Sequence, residues 1–137
     1  MALNIQEIRV RYAETDQMGI VYYGNYPQYF EVARTELLRA LGFTYRALEE
    51  EGIMLPVREL QIRYRAPARY DDKLRIETEV RDLPQRRITF YHRIFNQPGE
   101  LLTTGSVELV FVGIESGRPC GCPPYLQEAF KAFLTSD

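Results

Sequence analysis

Histidine and cysteine are scarce in this 137-residue sequence, which has one histidine, His92, and two cysteines, Cys120 and Cys122. A histidine-rich catalytic metal site therefore cannot be built from it. A serine–histidine triad would have to use His92, yet neither Ser106 nor Ser116 lies in a sequence that resembles a nucleophile elbow. The cysteines are one residue apart, a spacing that fits neither the common zinc motifs nor an easily closed disulfide. No metal or redox cofactor is predicted.

The sequence also lacks an excess of charge and any long apolar run. Its net charge is -2, which gives no electrostatic argument for a nucleic-acid or membrane partner. No apolar stretch approaches the length of a membrane span, and residues 1–7 do not read as a signal peptide. We expect a single globular domain over residues 1–137 in a reducing, cytoplasmic location.

A long helix is the main element that the pattern predicts. Apolar residues recur at three-to-four spacing from Tyr26 through Phe30 and Ala33 to Leu37, whereas Glu31, Arg34, Glu36 and Arg39 fall on other faces. Pro27 suits a first helical turn and Gly42 suits a left-handed C-terminal cap. The predicted helix covers about residues 25–41.

Alternating apolar residues predict strands on both sides of this helix. One strand covers residues 5–12, a short helix covers 44–51, and four mostly antiparallel strands follow at 53–66, 73–82, 86–96 and 101–114. Gly105 and Gly113 suggest bends or bulges, and residues 123–134 form a possible closing helix. This order predicts an α+β fold in which a curved antiparallel sheet of about five strands wraps one long central helix.

Two neighbouring blocks, RYAETDQMGIVYYGNY at residues 11–26 and FEVARTE at residues 30–36, carry a family resemblance. They resemble the hotdog-fold thioesterases, most closely the 4-hydroxybenzoyl-CoA thioesterase and YbgC-like acyl-CoA thioesterase family. The resemblance implies a hotdog fold, an acyl-CoA substrate, and a homo-oligomer, either a dimer or a dimer of dimers, with active sites between subunits. It also implies that Asp16 is the catalytic carboxylate. Many YbgC-like members have a histidine at Tyr23, so a histidine-dependent mechanism does not carry over.

Thioester hydrolysis needs a group that attacks or activates water and a group that holds the charge on the carbonyl oxygen. Asp16 supplies the first, as a nucleophile or as a general base. Backbone N–H groups near Tyr23, Gly24 and Asn25, at the positive end of the helix dipole, supply the second. Gly24 adds no side chain that would obstruct the approach. An aspartate that is followed by glycine three residues later is also, on pattern alone, an ordinary turn residue.

Several other residues have both a functional and a structural interpretation. Tyr22, Asn25 and Tyr26 are candidate substrate-binding residues, although the tyrosines could equally pack round the helix start. Arg63, Arg65 and Arg69 share parity along a predicted strand and its exit, either as a solvated face or as ligands for the phosphates of coenzyme A. Three other ionisable residues are interpreted as structural: Glu14, Glu31 and His92. Of these, Glu31 is the second choice for the catalytic carboxylate.

Two alternatives belong to other functional classes. A hotdog dehydratase or hydratase is disfavoured because the helix start has no histidine. A non-catalytic module that binds acyl-CoA or an acyl carrier would keep the fold and the pocket but would not need Asp16. The sequence does not identify the acyl group, nor does it decide between coenzyme A and a carrier protein.

Overall fold

The computed structural model describes residues 3–135 of the chain. Its helices and strands are, in chain order, β1 Leu3–Arg9, α1 Tyr26–Ala40, α2 Tyr45–Glu50, β2 Ile53–Met54, β3 Val57–Tyr64, β4 Lys73–Glu79, β5 Arg87–Phe95, β6 Leu101–Val110, β7 Val112–Gly113 and α3 Pro124–Thr135. Short 3₁₀ turns occupy Tyr12–Glu14 and Tyr23–Asn25. None of the helices in residues 3–135 is long and apolar enough to cross a membrane.

Five strands form one antiparallel sheet in the order β1-β4-β5-β6-β3. The long helix α1 packs on one face of this sheet, and β2 and β7 form a separate two-stranded ladder. The predicted α+β class, with about five antiparallel strands and one long helix, is confirmed. Strands β1 and β3 are the two edges of the sheet.

The ends of α1 follow the signals that the sequence carries. Pro27 lies in the first turn, where its missing N–H removes no intrahelical bond. At the other end Gly42 has a φ of +92°, and the N–H groups of Gly42 and Phe43 donate to the carbonyls of Arg39 (2.9 Å) and Leu38 (2.9 Å). This pair of bonds is a Schellman cap, so the predicted left-handed cap is confirmed.

The predicted apolar face of α1 is buried, and Phe30 is at its centre. The Phe30 ring stacks on the imidazole of His92 with 4.5 Å between centroids. A Cβ at Gly105 would lie 2.5 Å from Phe30 Cε2, so glycine is required there by the close approach of the helix. Of the bend or bulge expected at Gly105, the bulge is wrong, because Gly105 pairs in register with Ile62 and His92. The register shifts lie between residues 57 and 59 of β3 and between 94 and 95 of β5.

Four other expectations about the strands and the helix need correction. The strand predicted at 53–66 is divided at Pro56, which has no N–H to continue a ladder, and the strand predicted at 101–114 ends at Val110 before a short β7. Tyr12, inside the strand predicted at 5–12, instead lies in a 3₁₀ turn and is 78% exposed. Arg34, predicted on an outer face of the helix, is only 8% exposed.

Candidate functional site

Asp16 begins a tight turn between the end of β1 and the start of α1. Its carbonyl accepts the N–H of Gly19 (3.0 Å), and Gly19 has a φ of +79°, a conformation that favours glycine. The carboxylate oxygen Oδ1 accepts the N–H of Met18 at 2.9 Å. Asp16 therefore makes the turn contacts that the alternative interpretation described, and its predicted catalytic role stays a prediction. The turn uses only one carboxylate oxygen, because Oδ2 has no hydrogen-bond partner among residues 3–135.

Glu14 holds this turn in place through hydrogen bonds of its side chain and its backbone carbonyl. Its Oε1 accepts the backbone N–H of Arg11 (2.8 Å) and the hydroxyl of Tyr29 (2.9 Å), and its Oε2 pairs with the Arg11 guanidinium at 3.1 Å. The backbone carbonyl of Glu14 accepts the N–H of Tyr22 (2.9 Å) and the side-chain Nδ2 of Asn25 (2.8 Å). Glu14 is 9% exposed and so has the supporting role that the sequence favoured. It connects the turn to both the start and the body of α1.

The chain enters α1 through the 3₁₀ turn at residues 23–25, where backbone N–H groups meet the positive end of the helix dipole. The N–H of Asn25 is already used, because it donates to the carbonyl of Tyr22 at 2.9 Å. The N–H groups of Tyr23 and Gly24 have no acceptor in the described part of the chain. The predicted set of three backbone donors is therefore reduced to two.

A cavity of about 320 Å³ lies between this turn and the end of β3. It is lined by Asp16, Met18, Ile20, Val21, Tyr23, Tyr26, Tyr64, Arg65, Ala66 and Pro67. Four of the predicted site residues, Asp16, Tyr23, Tyr26 and Arg65, thus meet at one cavity. Most of the other lining residues are apolar, which suits a thioester with an apolar acyl group.

Tyr64 is the residue of this cavity that sequence reasoning missed. Its hydroxyl donates to the backbone carbonyl of Tyr23 at 2.9 Å, and its ring meets that of Tyr26 edge to face at 5.1 Å. Burial raises the pKa of both Tyr64 and Tyr26, so both hydroxyls stay protonated at neutral pH. The available signal was a tyrosine at the last position of β3, in the alternating series of Leu60, Ile62 and Tyr64.

Three predicted site residues lie beside the cavity without lining it. Asn25 uses its side chain to hold the Glu14 carbonyl. The Tyr22 ring covers Gly24, since a Cβ there would lie 2.6 Å from Tyr22 Cε2. The space at Gly24 is therefore filled by this ring instead of being open, as the sequence suggested. The rings of Tyr22 and Tyr23 also meet at a tilt of 48° with 4.7 Å between their centroids, and the interaction with the Tyr23 hydroxyl raises the pKa of Tyr22.

The three arginines do not share a face, so that expectation is wrong. Strand β3 ends at Tyr64, and the N–H groups of Arg65 and Ala66 both donate to the Leu102 carbonyl (2.8 and 3.0 Å), a bulge that ends the alternation. Arg65 lines the Asp16 cavity. Arg63 lines a groove on the outer face of the sheet, and Arg69 lines another groove beyond the bulge.

Larger grooves exist elsewhere, with volumes of about 400, 510 and 720 Å³. Two of them lie over the outer face of the sheet and its rim, and the third lies over the loops that follow β3 and β5. None of the three is lined by Asp16 or by the start of α1. Glu31 lines a fourth, separate pocket. Because thioester chemistry needs a carboxylate beside free donors, the smaller Asp16 cavity is the candidate active site.

Comparisons with known proteins identify the family of this chain. Residues 10–130 match the family model of the thioesterase-like superfamily. The acyl-CoA thioester hydrolase YbgC of an Escherichia coli O6:H1 strain is 37% identical over 124 residues, which covers 90% of this chain and 92% of that protein. YneP of Bacillus subtilis is 39% identical over 119 residues, covering 87% and 86% of the two chains.

A solved structure gives the same result for the fold. The DHNA-CoA thioesterase of Staphylococcus aureus superposes with a TM-score of 0.92 at 39% identity, covering 96% of this chain and 91% of that one. The predicted resemblance to the hotdog thioesterases is confirmed by sequence and by structure. The chain belongs to the thioesterase-like superfamily.

Proposed function

We propose that this chain hydrolyses acyl-CoA thioesters to a free acid and coenzyme A. The observation that carries the proposal is one cavity bordered by Asp16, which keeps a carboxylate oxygen unpaired, and by Tyr23 at the helix start. Thioesterase relatives that match about nine-tenths of the chain support the same reaction. The chain is an enzyme of the thioesterase class.

In the proposed reaction, a thioester carbonyl carbon in the cavity is attacked next to Asp16. As a general base, Asp16 takes a proton from water while the water oxygen bonds to the carbonyl carbon, after which the carbon–sulfur bond breaks and the thiolate is protonated. As a nucleophile, Asp16 bonds to that carbon itself and expels the thiolate, and water then hydrolyses the mixed anhydride. Both routes require the unpaired Oδ2.

Charge on the carbonyl oxygen is held, in this proposal, by the N–H groups of Tyr23 and Gly24. They lie where the helix dipole already favours a negative charge. Removing one such donor typically costs about 100- to 1000-fold in rate. Tyr64 is a positioning residue, because its bond to the Tyr23 carbonyl fixes the orientation of the peptide that carries the Gly24 N–H.

Arg65 is the arginine whose place best supports contact with the phosphates of coenzyme A, because it lines the Asp16 cavity and is exposed. Arginine forks bind phosphate oxygens well, so replacing Arg65 should raise KM more than it lowers kcat. Equal kinetic constants in the wild type and in Arg65→Met would show that Arg65 does not contact the substrate. Arg63 and Arg69 remain predictions: the Arg63 groove lies over the outer face of the sheet, and the Arg69 groove adjoins the Asp16 cavity through Ala66 and Pro67.

We also propose that the chain forms a dimer through the edge strand β3, with two dimers pairing into a tetramer. Val57, Leu60 and Tyr64 on this edge are 50%, 41% and 46% exposed. An unpaired edge with exposed apolar side chains is suited to pairing with a second copy. Sedimentation should give two or four times the 16.0 kDa chain mass, whereas a monomer would contradict the proposal. With two free cysteines, a cytoplasmic location is proposed as well.

Thiol release from a panel of aromatic, short-chain and long-chain acyl-CoAs tests the reaction itself. Release with at least one member is expected, and the best substrate identifies the acyl class. If no member is hydrolysed while acyl-CoAs still raise the melting temperature, the chain is a binding module and the proposed function is wrong. If free thiol is released only from acyl-carrier-protein substrates, the carrier of the acyl group is that protein and not coenzyme A.

A further inference from the structure

The two cysteines of the chain lie side by side in the segment that connects the short strand β7 to α3. Both thiols are free, both side chains are half-buried, and both pack against the hydrophobic core, whereas Gly121 between them is exposed. Residues 119–123 contain no turn or bend, and the N–H groups of Cys120 and Cys122 both donate to backbone carbonyls of neighbouring segments. The segment is therefore extended, and side chains two residues apart in an extended chain lie on the same face.

The proposed hydrolysis gives these thiols no role, because neither of them lines the Asp16 cavity. Burial raises the pKa of Cys122 to about 12, with a smaller contribution from Cys120, so Cys122 is a protonated thiol at neutral pH and a poor nucleophile. Its S–H makes a weak local contact with the carbonyl of Pro123 at 3.6 Å. Neither catalysis nor hydrogen bonding therefore explains why two thiols share this face.

The spacing of the two cysteines favours an ion between the sulfurs over a direct disulfide. Side chains two residues apart in an extended chain are separated by about 6.6 Å, which is two rises of about 3.3 Å. A disulfide needs Cβ atoms that are about 3.8 Å apart. With an ion between them, two metal–thiolate bonds of about 2.3 Å allow the sulfurs to stay up to about 4.6 Å apart, and the Cβ–Sγ bonds span the remainder. A metal ion thus fits a spacing that a disulfide does not.

Two sulfur ligands restrict which metal ion the pair can hold. Zinc takes four protein ligands in a structural site and three in a catalytic site. Within residues 3–135, no group of three or more histidine, cysteine, aspartate or glutamate side chains is arranged to hold a metal. Thiolates are soft ligands that select Cu(I), an ion that two thiolates satisfy in a linear arrangement. Cu(I) is therefore the ion that suits this pair.

We propose that Cys120 and Cys122 together bind one Cu(I) ion per chain as two thiolates. Both S–H protons pass to solvent when the two copper–sulfur bonds form, and copper and sulfur keep their oxidation states. The site shares no residue with the edge strand β3 or with the Asp16 cavity, so neither the proposed dimer nor the proposed hydrolysis depends on it.

Competition with bicinchoninate, a chromogenic chelator of Cu(I), tests the site on the full chain with ascorbate as the reductant. The wild type should withdraw one copper ion per chain from the chelator. Cys120→Ser and Cys122→Ser should each bind Cu(I) about 100-fold more weakly or worse, because losing a direct ligand costs more than the roughly 10- to 100-fold of losing a residue that only orients a ligand. Met54→Leu is the matched control: it removes an exposed thioether sulfur from the neighbouring β2–β7 ladder, so Cu(I) affinity should not change.

A wild type that leaves the copper on the chelator would overturn the proposal, as would a smaller loss of affinity in either serine variant. One copper ion per two chains would place the ion between copies and would also overturn it, and so would weaker binding in Met54→Leu. If a serine variant fails to fold, the alanine variant at the same position, which suits the apolar surroundings, supplies the comparison. Cu(I) should also raise the melting temperature of the wild type but not that of the cysteine variants.

Discussion

The single histidine of this protein should make its stability fall steeply as the pH is lowered. His92 is 1% exposed, its Nδ1 lies 2.9 Å from Thr78 Oγ1, and its Nε2 has no partner. Burial lowers the pKa of His92 from 6.5 to about 3. The pKa of His92 is lower in the folded chain than in the unfolded chain. Between pH 6.5 and about pH 3, His92 is therefore protonated in the unfolded chain but not in the folded chain. Stability is therefore lost as the pH falls through this window.

The size of the effect follows from the two pKa values. Between pH 7 and pH 4, this group alone should remove about 3 kcal/mol from the free energy of unfolding. That is a large fraction of the roughly 5–15 kcal/mol that holds a typical domain folded. The variant His92→Phe keeps an aromatic ring against Phe30 but cannot titrate, so it should lose about 3 kcal/mol less than the wild type over the same interval.

Urea unfolding at pH 7 and pH 4 gives the four free energies, with the protein concentration held constant because association changes apparent stability. The difference between wild type and His92→Phe should itself change with pH, whatever its value at pH 7. Equal losses in the two proteins would refute the reasoning. An imidazole resonance that titrates near pH 6.5 in the folded wild type would refute it independently.

Three further substitutions have distinct expected results. Gly105→Ala should lower the free energy of unfolding by about 1–3 kcal/mol in urea titrations, because its Cβ would meet Phe30 at 2.5 Å, and an unchanged midpoint would contradict this packing. Glu14→Gln should lose about 1–3 kcal/mol and should also lower kcat/KM, since it weakens the contacts that hold the catalytic turn. Tyr64→Phe removes one hydrogen bond to the Tyr23 carbonyl, so the free energy of unfolding should fall by about 1 kcal/mol. We also expect a severalfold lower kcat with little change in KM, whereas a rise in KM alone would show that Tyr64 acts in substrate binding instead.

Local chemistry explains why much of the fold could be predicted. Pro27 and Gly42 determine where α1 begins and ends, and their backbone requirements act over a few residues. The alternation in β5 is equally local, since every second residue from Ile88 to Ile94 faces the core. The strand predicted at 53–66 failed at both ends, for two reasons. Pro56 has no N–H to donate to the ladder, and no single residue in the sequence marks the bulge at residues 65–66.

The site was predictable only as far as its parts are continuous in sequence. Asp16 and Tyr23 belong to one block, so the turn that joins them could be read directly. Tyr64 reaches the same cavity from a strand 41 positions later than Tyr23, and only the sheet brings the two together. The burial of Arg34 was missed for a similar reason. Helical periodicity places Arg34 off the main apolar stripe, and the residues that interact with it, Tyr45 and His92, come from other elements of the chain.

The turnover number of Asp16→Asn, at saturating concentration of the best acyl-CoA, tests the central claim most directly. Asp82→Asn is the matched control, since Asp82 is an exposed aspartate outside the Asp16 cavity. We predict that Asp16→Asn folds with a melting temperature near that of the wild type and loses about 100- to 10,000-fold in kcat, whereas the control keeps full activity. A folded Asp16→Asn variant that retains kcat within a factor of about ten of the wild type would contradict the assignment of Asp16 as the catalytic carboxylate.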